Sequence, residues 1–513
     1  MSVPARADAV SVAGRPRPGH GGAMNLGSNF AEAVVGGAPP ERIAVVERAE
    51  SGHRSKRSFG EVHRDSGRLA GVLRAKGVGR GDVVVTVIGS RYEWVLAMVA
   101  CFRIGAVVLP CPEQLRAPDL RARFAAVAPA LVVADPRNRE GIVDAGPPCD
   151  VLWIDDPELL AAEPPPAVAL APEDPALMTF TSGTTGGPKA VVHGQRYLWG
   201  QALQARSWLG AEVGEVVWCT AAPGWSKAAR NVFLAPWLSG ATALLHDARF
   251  DPDERLELLA QERVSALCMS PTEYRILARR TSLAGAGSLR TAVAAGEALD
   301  AEVVGAWQEA AGVQVRDGYG QTETGQLTGI APEDAPRPGS MGRALPGVRA
   351  WVEDGELVVD PATVPTFFLR YLEQPPPEPG RWRTGDCVEQ DGDGYFWFRG
   401  RNDDIIVSSG YRIGPEEVEA VLLAHDSVAE AAAVPAPDVE RGAVVRAVVV
   451  PAAGVAPSDE LAVELKAFAK QRTAPYKYPR IIEFAETLPR TTSGKLRRGA
   501  VRDGMFDQTK RPS

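Results

Sequence analysis

The densest chemistry in the chain lies between Leu177 and His193, LMTFTSGTTGGPKAVVH. Gly183, Gly186 and Gly187 lack a Cβ, so the backbone can take φ > 0 and bring its N–H groups close to a ligand. Thr181, Ser182, Thr184 and Thr185 add hydroxyls, and Lys189 adds a compact cation. Backbone donors, hydroxyls and an ammonium together make a phosphate cradle. The Walker pattern does not fit, because Gly187-Pro188-Lys189-Ala190 stands where Gly-Lys-Ser/Thr is needed. Pro188 also argues against a helix continuing directly from the loop. The plainer alternative is a polar Gly-rich turn between two strands; four hydroxyls and a lysine in so short a segment favour phosphate.

Three further segments carry chemistry. Asp317-Gly318-Tyr319-Gly320-Gln321-Thr322-Glu323-Thr324-Gly325 offers two carboxylates, a stacking ring and flexible glycines. A structural turn would not need Tyr, Gln, Thr and Glu together. Asp386, in Arg383-Thr384-Gly385-Asp386, reads by itself as a turn residue. The run from Leu488 to Arg498, LPRTTSGKLRR, reads by itself as a solvated basic loop.

Taken in order, these four segments resemble the motifs of the adenylate-forming superfamily: acyl-CoA synthetases, peptide-synthetase adenylation domains and luciferases. The order GWxKA, then a Phe, PW and GA from Gly224 to Ala241 is similar to the medium-chain and benzoate-CoA ligase branch. The resemblance implies acid + ATP → acyl-AMP + pyrophosphate, then acyl-AMP + CoA → acyl-CoA + AMP, with ATP, Mg²⁺ and CoA. It implies that the loop from Thr181 to Lys189 holds the β,γ-phosphates and that Asp317 and Tyr319 flank adenine. Thr322 would contact the α-phosphate, Glu323 would hold Mg²⁺, and Asp386 and Arg401 would hold the ribose. Gly296, Glu297, Ala298, Gly318, Gly320, Gln321 and Phe398 complete the expected nucleotide site. Trp225, Lys227, Ala295 and Gly296 would line the acyl pocket. Lys495 would reach the reacting carboxylate and α-phosphate. A hinge at Asp403 would then exchange it for the loop Ser408-Ser409-Gly410-Tyr411-Arg412, which faces CoA. Two positions depart from the pattern: Ala190 stands where many members have Gly, and Ala222 where relatives often carry Asp three residues before the Trp.

The elements that must position these residues read as an α/β chain. At 513 residues, two or more domains are expected. Residues 1–23, rich in Arg, Pro, Gly and Ala, lack a signal-peptide core and read as a disordered tail. Residues 24–402 read as a large N-terminal domain of layered sheets and helices, which the resemblance makes the AMP-binding domain. Residues 403–513 read as a small α+β domain, which the resemblance implies is mobile. Phe59 to Lys76 has helical periodicity, with Val62, Leu69, Val72 and Leu73 on one face. Asp82–Ile88, Ala106–Leu109, Leu131–Val133, Val151–Ile154, Glu215–Cys219, Val264–Cys268 and Thr291–Ala295 read as strands. Trp225, Phe233 and Trp237 read as core before anything else, and His425 as a helix-end residue.

Composition narrows the function classes. A net charge of −8 gives no basic footprint for nucleic acid. Six scattered cysteines without a CxxC pair fit reduced thiols in a cytoplasm better than disulfides or zinc. No apolar run reaches the ~20 residues of a membrane span, and Arg103 breaks the best candidate. The leading expectation is therefore a CoA ligase acting on a monocarboxylic acid, with a homodimer as the default assembly. Two alternatives stand beside it. One is an enzyme performing a single half-reaction, thioesterification of a supplied acyl-adenylate or adenylation for a carrier protein. The other is a non-catalytic nucleotide-binding protein.

Overall fold

The computed structural model describes residues 29–181, 189–297, 299–335, 337–401, 404–408, 411–438, 442–473, 477–491 and 494–506. Two large sheets organise most of it. One has nine strands in the order Arg343–Ala344, Gly325–Gly329, Val315–Gln321, Thr291–Ala295, Ala266–Met269, Val216–Cys219, Thr242–Asp247, Ile43–Ala49 and Arg54–Ser58. Its inner strands pair in parallel, from Val315–Gln321 across to Ile43–Ala49. The other has seven strands: Arg370–Tyr371, Ala190–Gly194, Pro175–Phe180, Val107–Pro110, Val83–Val87, Leu131–Ala134 and Val151–Trp153.

The inner strands are Val/Ala/Leu-rich because a parallel sheet is covered on both faces. Helix Tyr92–Ile104 is buried all round, and its residues belong to the same apolar cluster as both large sheets. A helix apolar on every side is stable only in such a place. Arg103, which interrupts this run, lies at its edge, where Nε donates to the Pro165 carbonyl at 2.8 Å and Nη1 to Glu32 at 3.2 Å. Among the described residues, no helix is long and apolar enough to cross a membrane. Helix Phe59–Ala75 buries Val62, Leu69, Val72 and Leu73 as its periodicity predicts, and a capping box at Ser58 and Glu61 starts it.

Pro175–Phe180 and Ala190–Gly194 pair antiparallel, so the Gly-rich loop joins two strands and no helix follows it, as Pro188 implies. A four-stranded sheet, Ala350–Glu353, Glu356–Val359, Trp382–Gln390 and Phe396–Arg401, adjoins the edge of the nine-stranded one through the cluster shared by Tyr319, Met341, Leu357 and Phe398.

Beyond residue 404 the chain has its own core. Strands Val428–Asp438, Gly442–Pro451 and Ile481–Phe484 form a sheet against helices Pro415–Leu423 and Asp459–Arg472. Val418 and Leu422 are fully buried, Val421 partly. His425 closes its helix end, packed on the Phe468 ring and 3.4 Å from Glu464. Arg498 ties this part together by pairing with Glu419 at 2.6 Å and Glu416 at 3.1 Å.

Candidate active site

The site lies at the carboxyl ends of the parallel strands, where open α/β sheets bind ligands. Strand Thr291–Ala295 ends at Gly296, whose φ of +100° turns the chain away. Lys227 Nζ donates to the Ala295 carbonyl at 2.6 Å and fixes that corner. Glu297 follows, exposed, and accepts from Thr272 Oγ1 at 2.6 Å. Trp225 caps the short helix Ser226–Ala229 and is only half-buried. Phe233 and Trp237 lie in the core as expected, but Trp225 does not: its indole is left partly at the cleft.

Strand Val315–Gln321 carries the second motif. An added Cβ at Gly320 would overlap the Gly325 carbonyl, and one at Gly318 would run into Trp208 and Gln326. Only glycine allows these close approaches. Asp317 is 6% exposed, with its carboxylate accepting the Gly318 N–H at 2.8 Å. Burial pushes its carboxyl up to about 8.

Asp386 is the centre of the floor. It is 3% exposed, pairs with Arg401 at 3.2 Å, and accepts from the Tyr319 hydroxyl and from Gln321 Nε2 at 2.9 Å. Gln321 also donates to the Thr384 carbonyl at 2.7 Å and accepts from Trp382 Nε1 at 3.3 Å. Burial raises the Asp386 carboxyl against the opposing pull of Arg401 and these hydrogen bonds. The turn at Thr322 and Glu323 is closed by the Gln321 N–H on Thr324 Oγ1. Glu323 accepts from the Tyr371 hydroxyl at 2.9 Å, and Lys189 Nζ lies 5.2 Å from the Tyr371 ring centre. At the base of the Gly-rich loop the Thr181 N–H bonds the Lys189 carbonyl at 2.9 Å.

Lys495 arrives from the opposite part of the chain. It sits in a turn where Thr491 N–H bonds the Lys495 carbonyl at 2.7 Å and Gly494 takes φ +83°. Its side chain keeps solvent contact at the cleft mouth while protein walls surround it. Desolvation by those walls lowers its ammonium below the ordinary lysine range, and Lys227 and Arg401 lower it further. Glu297 and Asp386 act the other way. Residue 495 therefore lies within electrostatic reach of residues 227, 297, 386 and 401.

Phe398 lies on the four-stranded sheet, in the same apolar cluster as Tyr319. Ser408 is buried at the end of strand Ile406–Ser408, paired in register with residue 411 of Tyr411–Ile413. Ser182, Gly183, Thr184, Thr185, Ala298, Asp403, Ser409 and Gly410 lie outside the described residues, as do the side chains of Tyr411 and Arg412 and the tail 1–23. Tyr371, Trp382, Thr272 and Thr384 were missed by sequence reasoning. Each joins the site through a contact dozens of residues away in the chain or through a main-chain carbonyl, so no local pattern marks it.

The comparisons with known proteins agree with this geometry. The AMP-binding enzyme model matches residues 32–365, and the AMP-binding enzyme C-terminal domain matches residues 417–495. The chain belongs to the AMP-binding enzyme family. It is 38% identical to the uncharacterised acyl-CoA ligase YtcI of Bacillus subtilis, over 91% of this chain and 93% of that one. It is 34% identical to the mitochondrial acyl-coenzyme A synthetase ACSM4 of Homo sapiens, over 97% and 92%. Among solved structures it is similar to a benzoate CoA ligase from Burkholderia xenovorans LB400 (TM-score 0.80, 27% identity, 93% and 100% covered). It is also similar to an acyl-CoA synthetase from Brucella canis (TM-score 0.73, 31% identity, 94% and 95% covered). The chain is thus an AMP-forming acyl-CoA ligase of the adenylate-forming superfamily, which activates a carboxylic acid through an acyl-adenylate and ligates it to CoA.

Proposed function

We propose that this ligase performs both half-reactions on one acid and that Lys495 serves only the first. The observation that carries this reading is that the charges of Lys227, Glu297, Asp386 and Arg401 all act on Lys495, whose ammonium is desolvated by surrounding protein. A carboxylate must approach a polyanion in that half-reaction. Two like charges at ~4 Å cost on the order of 4 kcal/mol at an effective dielectric near 20. That is about three powers of ten in rate. A cation held at the reacting oxygens removes the penalty.

In this reading Thr181 to Lys189 hold the β,γ-phosphates, Thr322 the α-phosphate, Asp386 and Arg401 the ribose, and Asp317 and Tyr319 the adenine. Glu323 is a hard oxygen donor that shares Tyr371 as a neighbour with Lys189, which suits Mg²⁺ accompanying the phosphates. Among the described residues no group of three His, Cys, Asp or Glu side chains is placed to hold a metal ion. A cation that shares its coordination with phosphate and water needs no such cage. When bound, Mg²⁺ supplies charge neutralisation at the phosphates. Trp225, Lys227, Ala295 and Gly296 form the mouth of the acyl pocket.

For the second half-reaction the part beyond Asp403 turns as a unit, taking Lys495 out and bringing the 408–412 loop toward CoA. Its separate core lets it move without unpacking the large sheets. A cytoplasmic homodimer completes the proposal, with light scattering of the purified chain as its check.

The test is a panel of acids with ATP and CoA, scored for pyrophosphate exchange, AMP release and acyl-CoA. Exchange and acyl-CoA should appear together for the same acids. Exchange without acyl-CoA, or acyl-CoA only from supplied acyl-adenylate, would mean that a single half-reaction is performed.

A further inference from the structure

Arg230 is 3% exposed and has no ion-pair partner among the described residues. Its Nε and Nη1 are buried without a hydrogen bond. Beside it, Asn231 is 0% exposed with Nδ2 unpartnered, and Gln204 is 2% exposed with Oε1 unpartnered. Gln204 Nε2 donates to Asn231 Oδ1 at 3.1 Å and to Gln201 Oε1 at 2.7 Å, so these amides hold one another in place. The cluster has three free donors and one free acceptor. A buried cation without an anion is costly, and a fold retains one only where something offsets it.

The cluster's position says what does. Residues 226–229 start at Trp225 and run directly into 230–234, so Arg230 lies one helical turn beyond Ser226. Residues 230–234 pack against helix Gln195–Gln204 and strand Val216–Cys219, and the Arg230 charge reaches Cys268, His193 and Tyr197. His193 is buried with both ring nitrogens unpartnered and is kept neutral by burial, so it adds no second positive charge near Arg230. Arg230 is therefore buried four residues beyond Ser226, on the segment that follows the Trp225 and Lys227 corner.

We infer that Arg230, with Asn231, receives the far end of the acid, and that this end carries a second carboxylate. The preferred substrate is a dicarboxylic acid: one carboxyl is adenylated under Lys495 while the other pairs with the guanidinium. A guanidinium fork matches a carboxylate in two parallel bonds, and the Asn231 amide adds a third donor. This rests on the acyl-pocket reading above and replaces the monocarboxylic acid that the sequence alone suggested.

The test uses the full chain with ATP, CoA and acids matched in length: hexanoate against adipate, octanoate against suberate, benzoate against terephthalate. Wild type should favour the diacid of at least one pair by about tenfold or more in kcat/KM. Arg230→Leu should lose at least about tenfold on that diacid and gain on its monoacid. Arg230→Lys should keep part of the diacid preference. ATP binding to Arg230→Leu by calorimetry, unchanged from wild type, shows that the variant is folded. Should it fail to fold, adipate, suberate and terephthalate protection of wild type against heating, compared with the matched monoacids, reads the same preference. No diacid preference at any length, or an equal loss on every acid, overturns the inference while leaving the ligase reading intact. If no acid is converted, the ligase reading fails. Arg230 is then still judged by calorimetry of the same acids, where diacid binding lost in Arg230→Leu supports it and indifference overturns it.

Discussion

The floor of the cleft and the turn that bears Lys495 are built in opposite ways. Asp386 is locked by Tyr319, Gln321 and Arg401, and the glycines at 318 and 320 let the strand that bears Tyr319 and Gln321 pack tightly on Trp208 and Gly325. The Lys495 turn is closed by its own main-chain bonds, and among the described residues no hydrogen bond or ion pair ties the Lys495 side chain to the floor. A nucleotide site gains from rigidity because preorganised groups need no rearrangement at the moment of reaction. A group that must leave between two steps gains from the reverse. The difference suggests a division of labour in which the floor binds throughout and the turn acts once.

Breaking the turn should have the largest effect. Lys495→Ala is expected to lose at least ~10²-fold in acid-dependent pyrophosphate exchange while keeping most thioester formation from supplied acyl-adenylate. Equal loss in both would dissolve the contrast between the two regions. Breaking the floor should cost less but cost both steps. Asp386→Asn is expected to weaken ATP and acyl-adenylate alike by about tenfold, the scale of removing one charge-assisted hydrogen bond, read as KM in each half-reaction. A loss confined to adenylation would contradict its role as a shared anchor.

Two pH measurements sharpen the comparison. The Asp317 carboxyl titrates near 8 in the fold and near its ordinary 3.8 when unfolded. As pH rises the unfolded chain therefore releases this proton first, and the unligated protein loses stability between about pH 4 and 8, with no further loss above. Thermal melts of Asp317→Asn should lack that part of the slope; an unchanged slope would remove Asp317 as its source. The smallest effect concerns the turn. Lys495 is lowered from 10.5, so its ammonium is lost earlier on the alkaline side than an ordinary lysine's. The alkaline limb of kcat/KM for the acid, which reports the free enzyme, should fall below pH 10.5. Lys495→Arg should move it upward, and a limb that stays put assigns it to another group.

The same contrast decides how much the sequence disclosed. Strongly periodic or Val-rich segments such as Phe59–Ala75, Val83–Val87 and Thr291–Ala295 were readable, because each has one buried face or two. Strand Val428–Asp438, the long member of the small sheet, was not, since VAEAAAVPAPD has little β propensity and gains its place by pairing with Gly442–Pro451. The hairpin Ile43–Ala49 and Arg54–Ser58 was missed for a similar reason, its second strand being RSKRS on an exposed edge. Motif residues of the floor were legible because they cluster in sequence. Their anchors were not: Tyr371 reaches Glu323 and Trp382 reaches Gln321 across the fold. No local pattern marks Arg230, and only its burial without a partner sets it apart.

The central claim is that the C-terminal part presents Lys495 for adenylation and withdraws it for thioesterification. Spin labels at Val143 and Val463, both exposed and one on each part, can be introduced as cysteines in a Cys149→Ser background. Their separation is then measured with a non-hydrolysable ATP analogue plus acid, and again with AMP plus CoA. Two distinct distance distributions, one per ligand set, are predicted, and a single distribution common to both would contradict the account.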